Sequence, residues 1–341
     1  MHYRAFAPRQ QRTRPPGKID ALRLLRFTAL AIPIYAAAQP VIAFVPAILA
    51  RDYGIPLAGL GLVYLIGQVV NSLLDPVIGT LSDRTRSRFG RRRPWIAGGG
   101  LLFLTGATML FFPPQGGGLG WVGVGVLLYY CGASASQTAL LAWSGEISGN
   151  YDERTRIASQ FTLLSASALV LTLLLPALAD QLRPNDGPLR LTLFGVLVLL
   201  TGIPGLLLTL TAVPDSSAPD DGEPFHLKRT LGAVFGNRLL LRVLAADAAV
   251  LTGQGIRTAL MLFIVTFYFQ RPEWAAGIFL FQYAFGVLAG PIWQRIGLKL
   301  GKSRAAVVAE LVQAAINFGL LLLTPDRFGL LLFLAALQGL S

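Results

Sequence analysis

The chain alternates between long apolar runs and short polar connections. The apolar runs lie at about 24–50, 55–82, 95–113, 119–146, 157–179, 190–212, 239–268, 273–296, 304–324 and 328 onward. A helix needs about 20 mainly apolar residues to cross the hydrocarbon core of a bilayer. The pattern therefore predicts ten transmembrane helices in an all-α polytopic membrane protein. The last run is still apolar at Ser341, so we expect that the chain is cut short there.

The composition agrees with a membrane protein. Hydrophobic residues make up 54% of the chain and charged residues 13%, whereas about 25% of a typical soluble protein is charged. The single cysteine, Cys131, excludes an internal disulfide and is typical of a small buried apolar residue. His2 and His226 lie in polar flanks, so the sequence predicts neither a metal site nor a cofactor.

Lysine and arginine are distributed unevenly between alternate connections. With a cytoplasmic N-terminus, 23 of the 29 lie on the cytoplasmic side, 5 lie on the other side, and Arg257 lies within a span. This asymmetry follows the positive-inside rule. It predicts a multi-pass protein of the cell (inner) membrane with its N-terminus in the cytoplasm. It also accounts for the net charge of +12 without nucleic acid as a partner.

The connection after the sixth run divides the chain into two halves. It begins rich in Pro, Ser and Asp and continues as an amphipathic segment suited to the membrane surface. Two helices into each half, a Pro is followed by Gly and a basic cluster, and such internal repeats are typical of secondary transporters. The predicted parts are an N-terminal cytoplasmic segment, a six-helix bundle, a central cytoplasmic loop with a surface helix, and a second bundle of about four helices, at 1–23, 24–212, 213–238 and 239–341.

Asp75 lies inside the second apolar run with no basic residue near it in sequence. An ionised carboxylate in a bilayer is costly unless it faces a cavity or a partner, so its default interpretation is functional. Gln68, Asn71, Asp75 and Gly79 are three or four residues apart and share one helical face. A structural role for Asp75, capping a neighbouring helix, is the alternative.

Three motifs carry a resemblance to a known family. "GTLSDR" at Gly79–Arg84, followed by "GRR", resembles the loop between helices two and three of the major facilitator superfamily. The longer string "DPVIGTLSDRTRSRFGRRRPW" resembles the glycoside–pentoside–hexuronide:cation symporters, the family of the melibiose carrier. "YDERTR" at Tyr151–Arg156 and "GPIWQRIGLKLGKSR" after the eighth run resemble it as well. The resemblance implies a major-facilitator fold of two pseudo-symmetric helical bundles, with about ten of the twelve helices present.

The resemblance also implies a coupling-cation site. Family members bind the cation with two carboxylates one turn apart on helix two. Asp75 matches one of these carboxylates, and Asn71 stands in place of the other. Because Na⁺ binding favours several oxygen ligands and a second charge, whereas one carboxylate suffices for a proton, we expect H⁺ to be favoured over Na⁺.

Charged residues at the cytoplasmic mouth are candidates for an inner gate. In this superfamily, paired charges at this loop close the gate, and exposed ion pairs of about 0–1 kcal/mol suit a gate that opens and closes. A solvated cluster that only sets the topology is the alternative. The candidates are Asp83, Arg84, Arg91 and Arg92, with Glu146, Glu153 and Arg154 as possible partners.

The substrate path is predicted from polar and aromatic residues inside the spans. The candidates are Tyr35, Gln39, Gln68, Gln137, Trp143, Gln160, Thr162, Asp247, Gln254 and Arg257. Trp143 falls where melibiose-type carriers have a tryptophan that stacks on the sugar. Ala36, Ala139 and Thr162 replace charged family residues, which argues against a galactoside. The alternative for each polar candidate is a hydrogen bond between helices.

These observations favour a cation-coupled symporter of a sugar or glycoside, a monomer in the lipid bilayer. Two alternatives stay open: a carrier of the same fold for a lysolipid, carboxylate or drug, and a non-transporting membrane sensor. The sequence has no phosphate-binding glycine loop and no cluster with catalytic spacing. We therefore do not expect an enzyme.

The charge asymmetry makes a topological prediction. In a Ser217→Cys variant, the new thiol should resist an impermeant reagent in intact cells and react with it in inverted vesicles, because the central loop is predicted to be cytoplasmic. Labelling of this thiol from outside the cell would overturn the assignment.

Overall fold

The computed structural model describes residues 20–147, 151–183, 186–214, 235–271 and 274–340. The chain divides into two compact units, Met1–Thr172 with Ala179–Asp221, and Leu173–Leu178 with Gly222–Ser341. Most of the predicted N-terminal segment, Ser217 and the greater part of the central loop lie outside the described residues. The boundaries predicted for the segments and the two bundles stay predictions.

The described helices that lie wholly or mostly in the first unit account for six predicted spans, and the helix of the fifth span contributes Leu173–Leu178 to the second unit. The first span is segmented by a break after Thr28 and by a short π-helix. The helices are α1 (Ala21–Thr28), α2 (Ala31–Gln39), the π-helix Pro40–Phe44, α3 (Val45–Asp52), α4 (Leu57–Arg84), α5 (Arg93–Phe111), α6 (Leu119–Ile147), α7 (Tyr151–Leu182) and α8 (Gly187–Ala212).

The described helices of the second unit account for the other four predicted spans. A buried cluster that includes Met261, Ile278, Ile316 and Leu331 forms the core of this unit. The helices are α9 (Arg238–Phe263), the π-helix Ile264–Tyr268, α10 (Trp274–Leu300), α11 (Lys302–Gly319), the 3₁₀-helix Leu320–Leu322 and α12 (Phe328–Leu340).

Local sequence sets several helix ends. The Asp186 carboxylate accepts a hydrogen bond from the Leu189 amide at 2.9 Å and caps α8. The Asn237 side chain caps α9 in the same way by accepting from the amides of Leu239 and Leu240. Gly301 separates α10 from α11 with φ +81°, a conformation that glycine adopts without steric cost.

Eight helices in the described part of the chain are long and apolar enough to cross a membrane. Two shorter apolar helices, Gly277–Gly286 and Phe328–Leu340, fall in the eighth and tenth predicted spans. No β-strand occurs in the described ranges. The prediction of an all-α polytopic membrane protein is confirmed.

Small residues let α5 and α6 approach closely. A Cβ atom on Gly106 would meet the backbone of Tyr129, and one on Gly132 would meet the backbone of Phe103. Lipid tails are as apolar as leucine side chains, so helices associate in a membrane through close packing and hydrogen bonds. The glycines therefore hold α6 in place, and α6 carries much of the polar site described below.

Gly132→Ala should destabilise the protein by about 1–3 kcal/mol, because the added methyl group has only backbone to displace. The matched control is Gly120→Ala on the same helix, where a new Cβ has nothing within 4 Å. Thermal unfolding in detergent measures both variants. Equal unfolding temperatures for the two variants would contradict the packing argument.

Candidate functional site

Asp75 of α4 is paired with hydroxyl groups of α6. Ser134 donates a short hydrogen bond from Oγ to Asp75 Oδ1, and Thr138 Oγ1 lies 3.4 Å from the same oxygen. Ser134 is 4% exposed, whereas Asp75 is exposed in the described protein. The carboxylate thus has hydrogen-bond donors on one side and an open approach on the other.

The face predicted for α4 continues along the helix from Asp75. Gln68 is exposed and Asn71 is half-buried. Gly79 lies opposite Thr138, whose Cγ2 would be 3.8 Å from an added Cβ. Across the same region, Gln137 Nε2 of α6 donates to Tyr35 Oη of α2 at 3.4 Å. Five predicted path or cation residues of this region therefore lie on α2, α4 and α6: Tyr35, Gln68, Asn71, Asp75 and Gln137. Gln39 lies half-buried at the end of α2.

A cavity of about 520 Å³, open on one side, lies in the first unit beside this face. Ile42 and Leu57 at its edge are 60% and 64% exposed. Gln68 contributes a polar side chain to it, and Gly61 contributes backbone. The apolar and aromatic lining comes from Ile42, Pro46, Leu57, Leu60, Tyr64 and Tyr130. The cavity therefore combines a mainly apolar wall with one amide and two phenol hydroxyls.

Arg92 is the centre of a charged cluster at the other end of α4. Its Nη1 donates to Ser82 Oγ at 2.7 Å, and its Nη2 donates to Glu146 Oε1 at 2.5 Å. Nη2 is also ion-paired with Asp83. The Arg92 side chain is 4% exposed, whereas Asp83 is 46% exposed. One buried guanidinium thus joins α4, the following loop and α6.

A second arginine strengthens the same cluster. Arg91 Nη2 lies 2.7 Å from Glu146 Oε1. A buried charge is tolerated when it is paired and hydrogen-bonded. The enclosed Arg92 thus differs from the exposed ion pairs expected of this cluster, whereas its partner Asp83 is exposed, and Ser82 and Glu146 remain as partners of Arg92 without it. The structure therefore brings together four predicted gate residues. The other three, Arg84, Glu153 and Arg154, also take part in interactions.

Trp143 lies in the core and lines no described cavity. It is 2% exposed. Its ring packs edge-on against Phe27, with 5.1 Å between centroids, and the Arg93 guanidinium lies 6.0 Å from the ring centroid. This position gives no support to the predicted stacking on a sugar. Ala36 and Ala139, which replace charged family residues, are buried as well.

The remaining path candidates lie on α7 and α9. Gln160 is half-buried, and the Thr162 hydroxyl donates to the Ala158 carbonyl of its own helix at 3.1 Å. On α9, Asp247 and Gln254 are exposed and Arg257 is half-buried. These three residues belong to the second unit, and Asp75 belongs to the first.

Arg257 belongs to the second unit, where the carboxylate of Glu310 on α11 is near enough to act electrostatically on its guanidinium. Asp247 is ten residues away on the same helix, and the expectation that each of these two residues has a partner elsewhere stays a prediction.

Sequence reasoning misses Ser82, Ser134 and Thr138. The last two are four residues apart, so they present hydroxyls from successive turns of one helix face. That spacing is a usable signal, but nothing in the sequence says which neighbouring helix the face meets. In the described part of the chain, no group of three His, Cys, Asp or Glu residues could hold a metal ion.

Residues 28–341 match the family described as MFS/sugar transport protein. An uncharacterised symporter of Synechocystis sp. is 30% identical over 215 residues, which are 59% of this chain and 39% of that protein. YagG of Escherichia coli, named for glycoside/cation symport, is 23% identical over 67% of this chain and 51% of its own length. The chain thus spans about half or less of the relatives it matches.

Two solved structures show the same fold. The xylose transporter XylE of Escherichia coli, partially occluded and inward open, has a TM-score of 0.59 at 15% identity, covering 94% of this chain and 85% of that chain. The peptide transporter POT in complex with alafosfalin has a TM-score of 0.57 at 16% identity, and the match covers 96% of this chain and 80% of the transporter chain.

The family and these relatives are transporters rather than enzymes, and the likeness expected from the sequence motifs is confirmed. The chain belongs to the MFS/sugar transport protein family and is a multi-pass membrane protein with the major-facilitator fold.

Proposed function

We propose that the protein is a secondary active symporter that works by alternating access and couples transport of a sugar or glycoside to that of a cation in the same direction, with H⁺ favoured over Na⁺. The observation that carries the proposal is the Asp75 carboxylate within a spanning helix, hydrogen-bonded by Ser134 and approached by Thr138. An ionised side chain inside a bilayer is costly in free energy, and binding of a cation removes that cost. A transport cycle that neutralises Asp75 can therefore couple cation binding to the conformational change.

The hydroxyl partners suit a carboxylate that gains and loses a proton. A hydroxyl donates to an ionised carboxylate and accepts from a protonated one by rotating its O–H bond. Ser134 and Thr138 therefore stabilise both states of Asp75 without a change of backbone. Asn71, one turn away, adds an oxygen but no charge. A single negative charge in the site favours a proton over Na⁺.

Loading of Asp75 would then select the conformations that carry substrate across. A ligand shifts a conformational equilibrium only by its different affinities for the two states. The neutral site is compatible with a closed, dry conformation, and the empty ionised site needs an opening to water. We place the protein in the inner membrane with its N-terminus on the cytoplasmic side. We expect a monomer to be the transporting unit.

The cargo is proposed to contact the polar face shared by α2, α4 and α6. Tyr35, Gln137 and Gln68 offer a phenol and two amides to sugar hydroxyls. The mainly apolar cavity beside Gln68 favours a second candidate, a carrier of the same fold for a lipid-like cargo. Uptake of labelled lysophospholipid compared with that of labelled glycosides distinguishes the two.

Asp75→Asn should abolish accumulation of substrate against its gradient, because the amide cannot take up a proton, while downhill exchange continues. Asn71→Asp should increase stimulation by Na⁺, since it adds a second charge one turn from Asp75. Uptake of a panel of labelled glycosides into vesicles, under pH and Na⁺ gradients, measures both effects.

The control for the coupling experiment is Ser72→Ala. Ser72 is exposed on α4, and its hydroxyl donates to the Gln68 carbonyl of its own helix, at 3.0 Å. Accumulation that persists in Asp75→Asn would show that Asp75 is not the coupling site. Wild-type uptake that follows a Na⁺ gradient and ignores the pH gradient would refute the argument from Asn71.

Asp83→Asn should slow alternation between inward-facing and outward-facing states more than it weakens substrate binding. The substitution removes the charge that pairs with Arg92 and leaves the substrate-facing residues untouched. Exchange rates and equilibrium binding, measured on the same preparation, separate the two effects. A large loss of affinity at an unchanged rate would argue against a role in gating.

A further inference from the structure

The cavity of about 520 Å³ beside Gln68 has the size of a ligand site, since ligand pockets occupy about 300–1,000 Å³. Leu60 and Pro46 give it an apolar wall, and Tyr64 and Tyr130 add aromatic surface. The hydrogen-bonding side chains of the lining are confined to the Gln68 amide and the two tyrosine hydroxyls, whereas Ile42, Pro46, Leu57 and Leu60 offer none. A bare sugar ring here would leave several of its hydroxyls without partners, which is costly. The lining is better suited to an apolar group.

The cavity and Asp75 lie along the same pair of helices. Gln68, which lines the cavity, is seven residues before Asp75 on α4, a distance of about 10 Å along a helix. Tyr130, which lines it from α6, is one turn before Ser134, the donor to Asp75. A ligand in the cavity therefore extends toward the carboxylate.

We propose that this cavity binds the apolar aglycone of a glycoside whose sugar ring lies between it and Asp75. The inference rests on the proposed function and narrows the substrate class to glycosides with an aryl or alkyl aglycone. Gln68 stands at the boundary between the two parts, where its amide can bind a ring hydroxyl or the glycosidic oxygen. The cavity then contributes affinity and the polar face contributes orientation.

The test fills the cavity without disturbing the helix. Gly61 lines the cavity, and a Cβ added there has nothing within 4 Å. In Gly61→Leu the side chain enters the space assigned to the aglycone. Gly120→Leu is the matched control, because its Cβ also meets nothing within 4 Å and it does not line the cavity.

Binding of methyl and phenyl glycosides of glucose, galactose and xylose to the full chain is measured in nanodiscs. Wild-type protein should bind the phenyl member of a pair about tenfold more tightly, because its ring is buried in the cavity. Gly61→Leu should remove that preference and leave methyl glycoside affinity within about twofold. Gly120→Leu should change neither.

A second variant guards against misfolding of the first. Ile42 is 60% exposed at the rim of the cavity, so Ile42→Trp narrows the mouth and should also lower affinity for the phenyl glycosides selectively. Equal binding of methyl and phenyl glycosides by wild-type protein contradicts the inference. So does an equal loss of both in Gly61→Leu, and either result leaves symport intact.

Two further outcomes have distinct meanings. If Gly61→Leu alters retention of phospholipid but not binding of glycosides, the cavity holds an acyl chain and the inference is wrong. If wild-type protein neither binds nor accumulates any sugar or glycoside of the panel, the proposed function fails, and this inference fails with it.

Discussion

The structure depends on one constraint: a polar group within a bilayer has to find its hydrogen-bond partner inside the protein. Helices meet the constraint for the backbone, and the described spans are helical. Side chains meet it through neighbouring helices, as Asp75 does with Ser134. Such pairs need helices to approach closely, which the glycines between α5 and α6 permit. Close helix packing is therefore a condition for the hydrogen bonds between side chains of different helices.

The two charged sites of the first unit meet this constraint in different ways. Arg92 is enclosed, and its charge is balanced by Asp83 and Glu146. Asp75 has hydroxyl partners but no cation among its described contacts, and it remains open on one side. A charge-balanced cluster at a helix end suits the proposed gate contact. A carboxylate with only hydroxyl groups among its described partners suits the proposed exchange of a cation.

The first unit also places apolar and polar surface side by side. The cavity wall around Leu60 and Tyr130 is mainly apolar, and Gln68 joins it to the polar face of α4. A transporter binds cargo through a few placed polar groups and a larger apolar surface. Trp143 is buried against Phe27 instead, so the aromatic surface of the described cavity comes from Tyr64 and Tyr130.

The sequence by itself determined the positions of the spans, the face that Asn71 and Asp75 share, and the family, because apolar length, helical period and motif strings are local properties. Tertiary structure alone decided the partners. "RRR" at 91–93 presents three similar arginines, and only the fold places Arg92 between Asp83 and Glu146. Likewise, the sequence around a serine in an apolar helix does not identify the acceptor of its hydrogen bond. The acceptor depends on which helix packs beside it and on the rotation of the two helices about their axes.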